Sequence, residues 1–588
     1  MFYTKEELTT VEDQAVISED IRSMRESIDR LKRGEIAEEE FKKFRLHRGI
    51  YGQRSDQKGY NMVRVKIPYG LLTSRQLTRL AEITSKFADG LAHITTRQDI
   101  QYHWVKLETV PDVMESLAEV GLTTREAGGN TVRNIVGSPL AGVSRNELFD
   151  ITPYAHLLAK HLLRNSLNQL LPRKFKISFS GCTDESDGVI PWIHDLGYVA
   201  ALRQEGEKVR RGFKVLIGGG LGGQPRVADL FKEFLPVEML IPNTEAIITV
   251  FNALGNRENR NKARMKYVLW KLGLDEFRRR VDAELSRILE SGRTFLVPND
   301  LLEGEHLPVE PDFILKTNGD VEFNRWLESN VVPQKRAGYN VVYVNPTIGD
   351  LRVDQLHALS SLSEHFSNGQ VRTTPQQDIV LHWIRSSDIE SLYHELKNVN
   401  LNQPGAQHIA NVTSCPGADT CNLGITHSRA LGRELTQMFQ RQPDWSVILK
   451  NLRIKISGCP NSCGQHHVAA IGLHGATKKV DGGEIPSYLM SIGGGMNSGN
   501  HMFGETLGRI PARYATEAVS RILKRFLLQR TLDENFWQFA ERVGVRSFRD
   551  DIKDLSDLRP EKIRKDLFVD LGEESVFAAV TGEGECAA

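Results

Sequence analysis

One segment of this chain occurs twice. Residues 59–87, GYNMVRVKIPYGLLTSRQLTRLAEITSKF, and 338–366, GYNVVYVNPTIGDLRVDQLHALSSLSEHF, share GYN, Gln-Leu, a later Leu and Phe at a constant offset of 279. RQDIQYHW at 97–104 matches QQDIVLHW at 376–383 at the same offset. Asn134, Pro139 and SGC at 180–182 match Asn411, Pro416 and SGC at 457–459 at 277, and IGGGL at 217–221 matches IGGGM at 492–496 at 275. Matches in one order with a slow drift mark the duplication of a unit of about 200 residues or more, not a short-period solenoid. Within each copy an alternating strand comes first: Val63, Val65 and Ile67 fall on one face, Arg64 and Lys66 on the other. A helix follows, capped by Thr73 or Ser74 and carrying Leu77, Leu80 and Phe87, and then a second strand, IQYHWVKL or IVLHWI. Strand–helix–strand, repeated, fits an α+β fold.

At 588 residues the chain exceeds one core and divides into about three or four domain-sized units. Lys+Arg and Asp+Glu both number 75, so no global field favours nucleic acid, and an anion site must be a local cluster. The N-terminus MFYTKEELTTVEDQ has no apolar signal region, and no apolar run approaches the ~20 residues of a membrane span. The expected setting is cytoplasmic, where disulfides are disfavoured.

Four of the six cysteines fall within 49 residues, in SCPGADTCNLG and GCPNSCGQ. Cys415, Cys421, Cys459 and Cys463 form C-x5-C and C-x3-C pairs in loops of Pro and Gly, which let thiolates converge on one centre. Four thiolates suit zinc or an iron–sulfur cluster; structural zinc prefers closer pairs, and the wider C-x5-C suits a [4Fe–4S] cube. Four buried cysteines that bind nothing are the competing reading, and the spacing and loop composition weigh against it. In the first copy the matching positions are Ser138, Ser144, Cys182 and Ser186, which cannot hold a cluster. Cys182 reads as a buried leftover.

The first copy instead carries cations. Arg64 corresponds to Tyr343, Lys66 to Asn345, Arg133 to Ala410, Lys174 to Asn451 and Lys176 to Arg453. In LPRKFKISFS, residues 171–180, Lys174 and Lys176 share one strand face while Phe175, Ile177 and Phe179 share the other. One such pair alone would be a solvated face; several at positions equivalent to the cluster's surroundings point to a pocket for a small oxyanion.

C-x5-C with GCPNSCG, the LPRKFK strand and the duplicated unit together resemble the sirohaem-dependent assimilatory sulfite and nitrite reductases, from about residue 40 to about 550. The resemblance implies an internally duplicated α+β fold: two ferredoxin-like half-units plus two α/β domains that enclose sirohaem and a [4Fe–4S] cluster. It implies that Cys415, Cys421, Cys459 and Cys463 hold the cluster, Cys463 bridging to the sirohaem iron. Arg64, Arg133, Lys174 and Lys176 would bind the substrate anion, and Arg97, Arg264 and Asn461 would contact sirohaem. His103 and His382 read as packing or cradle residues, not axial ligands. The expected divisions are a helical lead-in at 1–55, half-units at 56–127 and 331–404, cofactor domains at 128–330 and 405–555, and a tail at 556–588 ending flexibly in GEGECAA.

The implied reaction is six-electron reduction of sulfite to sulfide, with nitrite to ammonia as the alternative and a non-catalytic iron–sulfur or zinc protein as a remote third. The two IGGG runs read as tight loops near the cofactor and not as a dinucleotide site, so electrons must come from a partner: reduced ferredoxin first, a separate flavoprotein second. Sulfite is favoured by Lys174-Phe175-Lys176, because a dianion gains more from an extra cation than nitrite does.

Overall fold

A computed structural model describes residues 5–54, 59–184, 186–297, 319–406, 408–449, 452–497 and 500–579, with 582, 584 and 585. Cys586 and the last two residues of GEGECAA lie outside the described ones.

The fold is α+β and duplicated, as expected. Two five-stranded sheets form the ferredoxin-like half-units. The first runs Ile50–Gly52, Tyr60–Val65, Ile100–Lys106, Leu91–Ile94 and then Asp350–Arg352; the second runs Val331–Pro333, Tyr339–Val344, Ile379–Arg385, Gln370–Thr373 and then Leu71–Thr73. The last strand of each sheet is contributed by the other copy, Asp350 pairing with His93 and Leu72 with Val371. Every backbone N–H and C=O at a sheet edge seeks a partner, and each copy supplies the other's. Two further sheets repeat one topology: Asp229–Pro236, Lys208–Ile217, Leu196–Glu205, Ile177–Ser180, Val136–Gly137, and Glu505–Pro511, Gly483–Ile492, Ile471–Val480, Ile454–Ser457, Thr413–Ser414.

The half-units share one core. Thr73 caps the helix Ser74–Phe87 in a box with Gln76, and its apolar face buries Leu77 and Leu80 against Leu356 and Leu359 of the matching helix Val353–Phe366. Phe87 is only partly buried. Thr78 Oγ1 and Ser360 Oγ meet at 2.8 Å across this seam. Val63, Val65 and Ile67 are fully buried in the same core.

Backbone strain is duplicated too. Tyr69, Gln98 and Trp104 have positive φ, as do Ile348, Gln377 and Trp383, each 279 residues on. The glutamines explain themselves: Gln98 Nε2 donates to Thr373 O at 2.7 Å, and Gln377 Nε2 to Ile94 O at 2.8 Å, so each locks its loop to the opposite copy. The chain's end packs back onto the body. Gly582 N donates to Asn422 O at 3.0 Å, and the Glu585 carboxylate grips Arg45, with Oε2 2.7 Å from Nη1. Among the described residues, no helix is long and apolar enough to cross a membrane.

Candidate active site

Two adjoining chambers lie where the half-units meet the α/β domains. One is lined by all four of Cys415, Cys421, Cys459 and Cys463, with Asn461, Met62 and His103. The other is lined by Arg64, Arg97, Arg133, Lys174 and Lys176. Cys415, Cys463, Arg64 and Lys174 face both.

The cysteine loops are built by close approach. Cys415 follows the strand Thr413–Ser414, and Cys459 follows Ile454–Ser457, its parallel neighbour. A Cβ on Gly458 would stand 2.6 Å from Gly417 Cα, so only glycine lets the two loops touch. Gly458 N donates to Cys415 Sγ at 3.1 Å. Ser462 and Gln465 bracket Cys463 with φ of 58° and 64°. Thr96 Oγ1 of the first copy donates to Cys463 O at 2.8 Å and fixes the loop against the cationic chamber. Arg54 Nη1 donates to Ala418 O at 2.8 Å, holding the C-x5-C loop. Burial and the neighbouring thiols raise Cys415 and Cys459 above the ordinary thiol range, a repulsion that a shared metal centre would relieve.

In the first copy the equivalent loop is filled differently. Cys182 is buried, its Sγ 3.6 Å from Ser144 Oγ, and Ser180 Oγ binds Asp187 at 2.8 Å. Hydroxyl and carboxyl hydrogen bonds occupy the position where the second copy presents thiols.

Arg64 and Arg133 are oriented by one turn. Glu126, fully buried with φ of 58°, accepts from Arg164 N, Asn168 Nδ2 and Gln169 Nε2 and lies 3.5 Å from Lys66 Nζ. Its anchoring sets Ala127 O, which accepts from Arg64 Nη1 at 3.1 Å and Arg133 Nη1 at 3.2 Å, and Gly129 O, which accepts from Arg133 Nε at 2.9 Å. Lys66, which strand alternation puts beside Arg64, is thus spent on Glu126 and lines neither chamber. Gln101, its amide oxygen turned to Arg64, accepts from Nη2 and Nε at 2.7 and 2.9 Å. Phe175, Ile177 and Phe179 enter the core, leaving Lys174 and Lys176 to the chamber. Burial, then Arg97, Arg264 and Lys174, push the Lys176 ammonium well below its ordinary value, a crowding that an entering anion would reverse.

Arg97 donates to Asn134 O, but its Nε and Nη1 are buried without partners. Burial lowers this guanidinium to about 10, and two orphaned donors facing a cavity fit a carboxylate-bearing group such as sirohaem. Arg264 lines neither chamber. It stands behind Lys176, paired with Asp195 at 3.0 and 2.7 Å, while Asp195 also accepts from Lys176 N at 2.9 Å. His103 Nε2 is another buried orphan in the cysteine chamber, whereas its repeat partner His382 is closed on Pro139 O at 2.8 Å. Sequence reasoning missed Asp99, Gln101, His194 and Gln465, which also line the cationic chamber. The alternation of Asp99, Gln101 and His103 along one strand was a usable signal for the first two; His194 arrives from a distant loop with none.

Fold and site define a class: a duplicated α+β protein in which four cysteines line one chamber and a set of cations lines the chamber beside it. The model of the nitrite and sulphite reductase 4Fe-4S domain matches residues 128–289 and 405–557, and that of the nitrite/sulfite reductase ferredoxin-like half domain matches 53–120 and 332–399. The chain belongs to the nitrite and sulfite reductase family of oxidoreductases, whose cofactors are sirohaem and a [4Fe–4S] cluster. It is similar to the chloroplastic ferredoxin–nitrite reductase of Arabidopsis thaliana, 31% identical over 77% of this chain and 74% of the relative. It is 27% identical to sulfite reductase [ferredoxin] 1 of Mycolicibacterium paratuberculosis, over 83% of each. The solved structure of the Mycobacterium tuberculosis NirA protein superposes with a TM-score of 0.74 at 26% identity, covering 88% of this chain and 92% of that one.

Proposed function

We propose that the protein reduces sulfite to sulfide by six electrons drawn from reduced ferredoxin. The observation that carries this reading is the convergence of Arg64, Arg133, Lys174 and Lys176 on one chamber that Cys463 also faces. Sirohaem and the cluster supply the redox chemistry and the electron path when bound. Cys415, Cys421, Cys459 and Cys463 hold the cluster, and the free donors of Arg97 take a sirohaem carboxylate. Asn461 borders the same space, while Arg264 acts at one remove, through Asp195. Arg64 and Arg133, aimed by Ala127 O and Gly129 O, fork around the anion; Lys174 and Lys176 add point charges suited to a dianion. The donor reading is supported by relatives that are named as ferredoxin enzymes.

Nitrite is the second reading, favoured by the several relatives named as nitrite reductases. Steady-state reduction of each anion by purified holoenzyme separates the two, with photoreduced methyl viologen as donor because dithionite releases sulfite. Higher kcat/KM for sulfite supports the proposal; higher kcat/KM for nitrite transfers it to the second reading.

A further inference from the structure

Asp99 stands in the cationic chamber, and no role above uses it. It is 3% exposed, and its Oδ1 is buried without a hydrogen-bond partner. A carboxylate in that state is costly unless it is protonated or offset by charge.

The duplication provides an internal control. Asp378 is the same residue one repeat later, and Asn411 matches Asn134. In the second copy Asp378 Oδ1 is likewise without a partner, but Asn411 Nδ2 donates to Asp378 Oδ2 at 2.8 Å and clamps it, and Asp378 lines neither chamber. In the first copy Asn134 Nδ2 turns instead to Ile67 O at 2.6 Å and Arg97 O at 3.0 Å. Asp99 is thereby released from its clamp and opens on the cavity. The charges that face it are Arg97 from its own segment, Arg64 and Lys66 from the neighbouring strand and its end, and Arg133 from the turn after Glu126. Burial pushes the carboxyl up to about 6 against the pull of these cations.

We propose that Asp99 takes up a proton as the oxyanion enters and donates it to an oxygen of that anion. In the donation the carboxyl O–H bond breaks, an O–H bond forms on the anion, and no electron moves. The electrons come from the reductant of the family reaction, each departing oxygen leaves as water, and Asp99 regains its proton from solvent. The inference rests on the cationic chamber being the oxyanion site. An incoming negative charge raises a neighbouring carboxyl further, so above about pH 6 binding and proton uptake are coupled.

The test is calorimetric titration of oxidised holoenzyme with nitrite, a monoanion throughout this range, near neutral pH in two buffers of different ionisation enthalpy. Expected is uptake approaching one proton per nitrite in the native protein and close to none in Asp99→Asn, with nitrite still bound. In turnover Asp99→Asn should lose about 100-fold in kcat without a rise in KM, and the pH dependence of kcat/KM near 6, which reports the free enzyme, should vanish. Equal proton uptake in the variant, or an unchanged kcat and pH profile, overturns the proposal. If Asp99→Asn fails to load cofactor, infrared difference spectra of the native protein decide: a protonated carboxyl band must appear on nitrite binding, and its absence overturns the proposal. Failure of native holoenzyme to bind nitrite or sulfite would instead remove the oxyanion-site reading itself.

Discussion

Lys176 owes its place to strand alternation: Phe175 and Ile177 are drawn into the core, so the residue between them must face the chamber. Lys176→Asn should lower sulfite kcat/KM about tenfold more than nitrite kcat/KM, because a charge-assisted contact matters more to the dianion. Comparable losses for both anions would contradict the charge argument. Cys182 gives the opposite expectation. It touches Ser144, not a second thiol, so Cys182→Ala should leave iron and acid-labile sulfide content unchanged and cost about 1–2 kcal/mol in denaturant stability. A fall in cluster content would show that the first copy still contributes a ligand. The cysteines and the LPRKFK cations were legible because rare residue types at fixed spacing carry chemistry on their face. Asp99 was not, because a single acid in a strand looks solvated until the arginines around it are known. Lys66 misled because alternation gives a side but not a partner, and its partner Glu126 lies 60 residues away in a left-handed turn.

The strand–helix–strand elements, the Thr73 cap of the first helix and the buried face of the strand Tyr60–Val65 could be read from local sequence. The exchange of strands could not: Leu71–Thr73 and Asp350–Arg352 are three residues each, and their edge partners lie far along the chain. Asp350 shows what secures the exchange. Its Oδ1 meets His93 Nδ1 at 2.8 Å, and its carboxylate also binds Arg429 and lies 3.4 Å from Arg433. Arg429 and the His93 contact hold this buried carboxyl down to about 2, while burial keeps His93 below its ordinary value. The depressed value means that this stabilisation is fully present above the ordinary carboxyl pKa and is lost as pH falls toward 2, an effect of about 2 kcal/mol. Asp350→Asn, which leaves Arg429 buried and unpaired, should destabilise the protein by about 3 kcal/mol in urea titration at neutral pH. It should also flatten the loss of stability on acidification between about pH 4 and 2; an unchanged acid limb would count against the assignment.

At the scale of the molecule, one core spans both half-units and each sheet is completed by the other copy. Residues 1–297 or 319–588 expressed alone should aggregate, since each exposes an unpaired sheet edge and half of a shared core, whereas the two co-expressed should recover a soluble complex. A soluble, folded single half by circular dichroism and sedimentation would refute this. The duplication and the direction of its divergence were both legible from the constant offsets, which set serines against the cysteines and Tyr343 and Ala410 against Arg64 and Arg133; the geometry added what the replacements do, Ser144 bonding to Cys182 and Tyr343 and Ala410 packing into cores. Strands lent in both directions also speak to ancestry. A single copy with this geometry would close its sheets only by pairing with a twin, so the exchange is the arrangement of a two-fold dimer carried on one polypeptide. On one polypeptide the two copies need not stay alike: the second presents four cysteines, and the first presents Arg64, Arg97, Arg133, Lys174 and Lys176, to adjoining chambers.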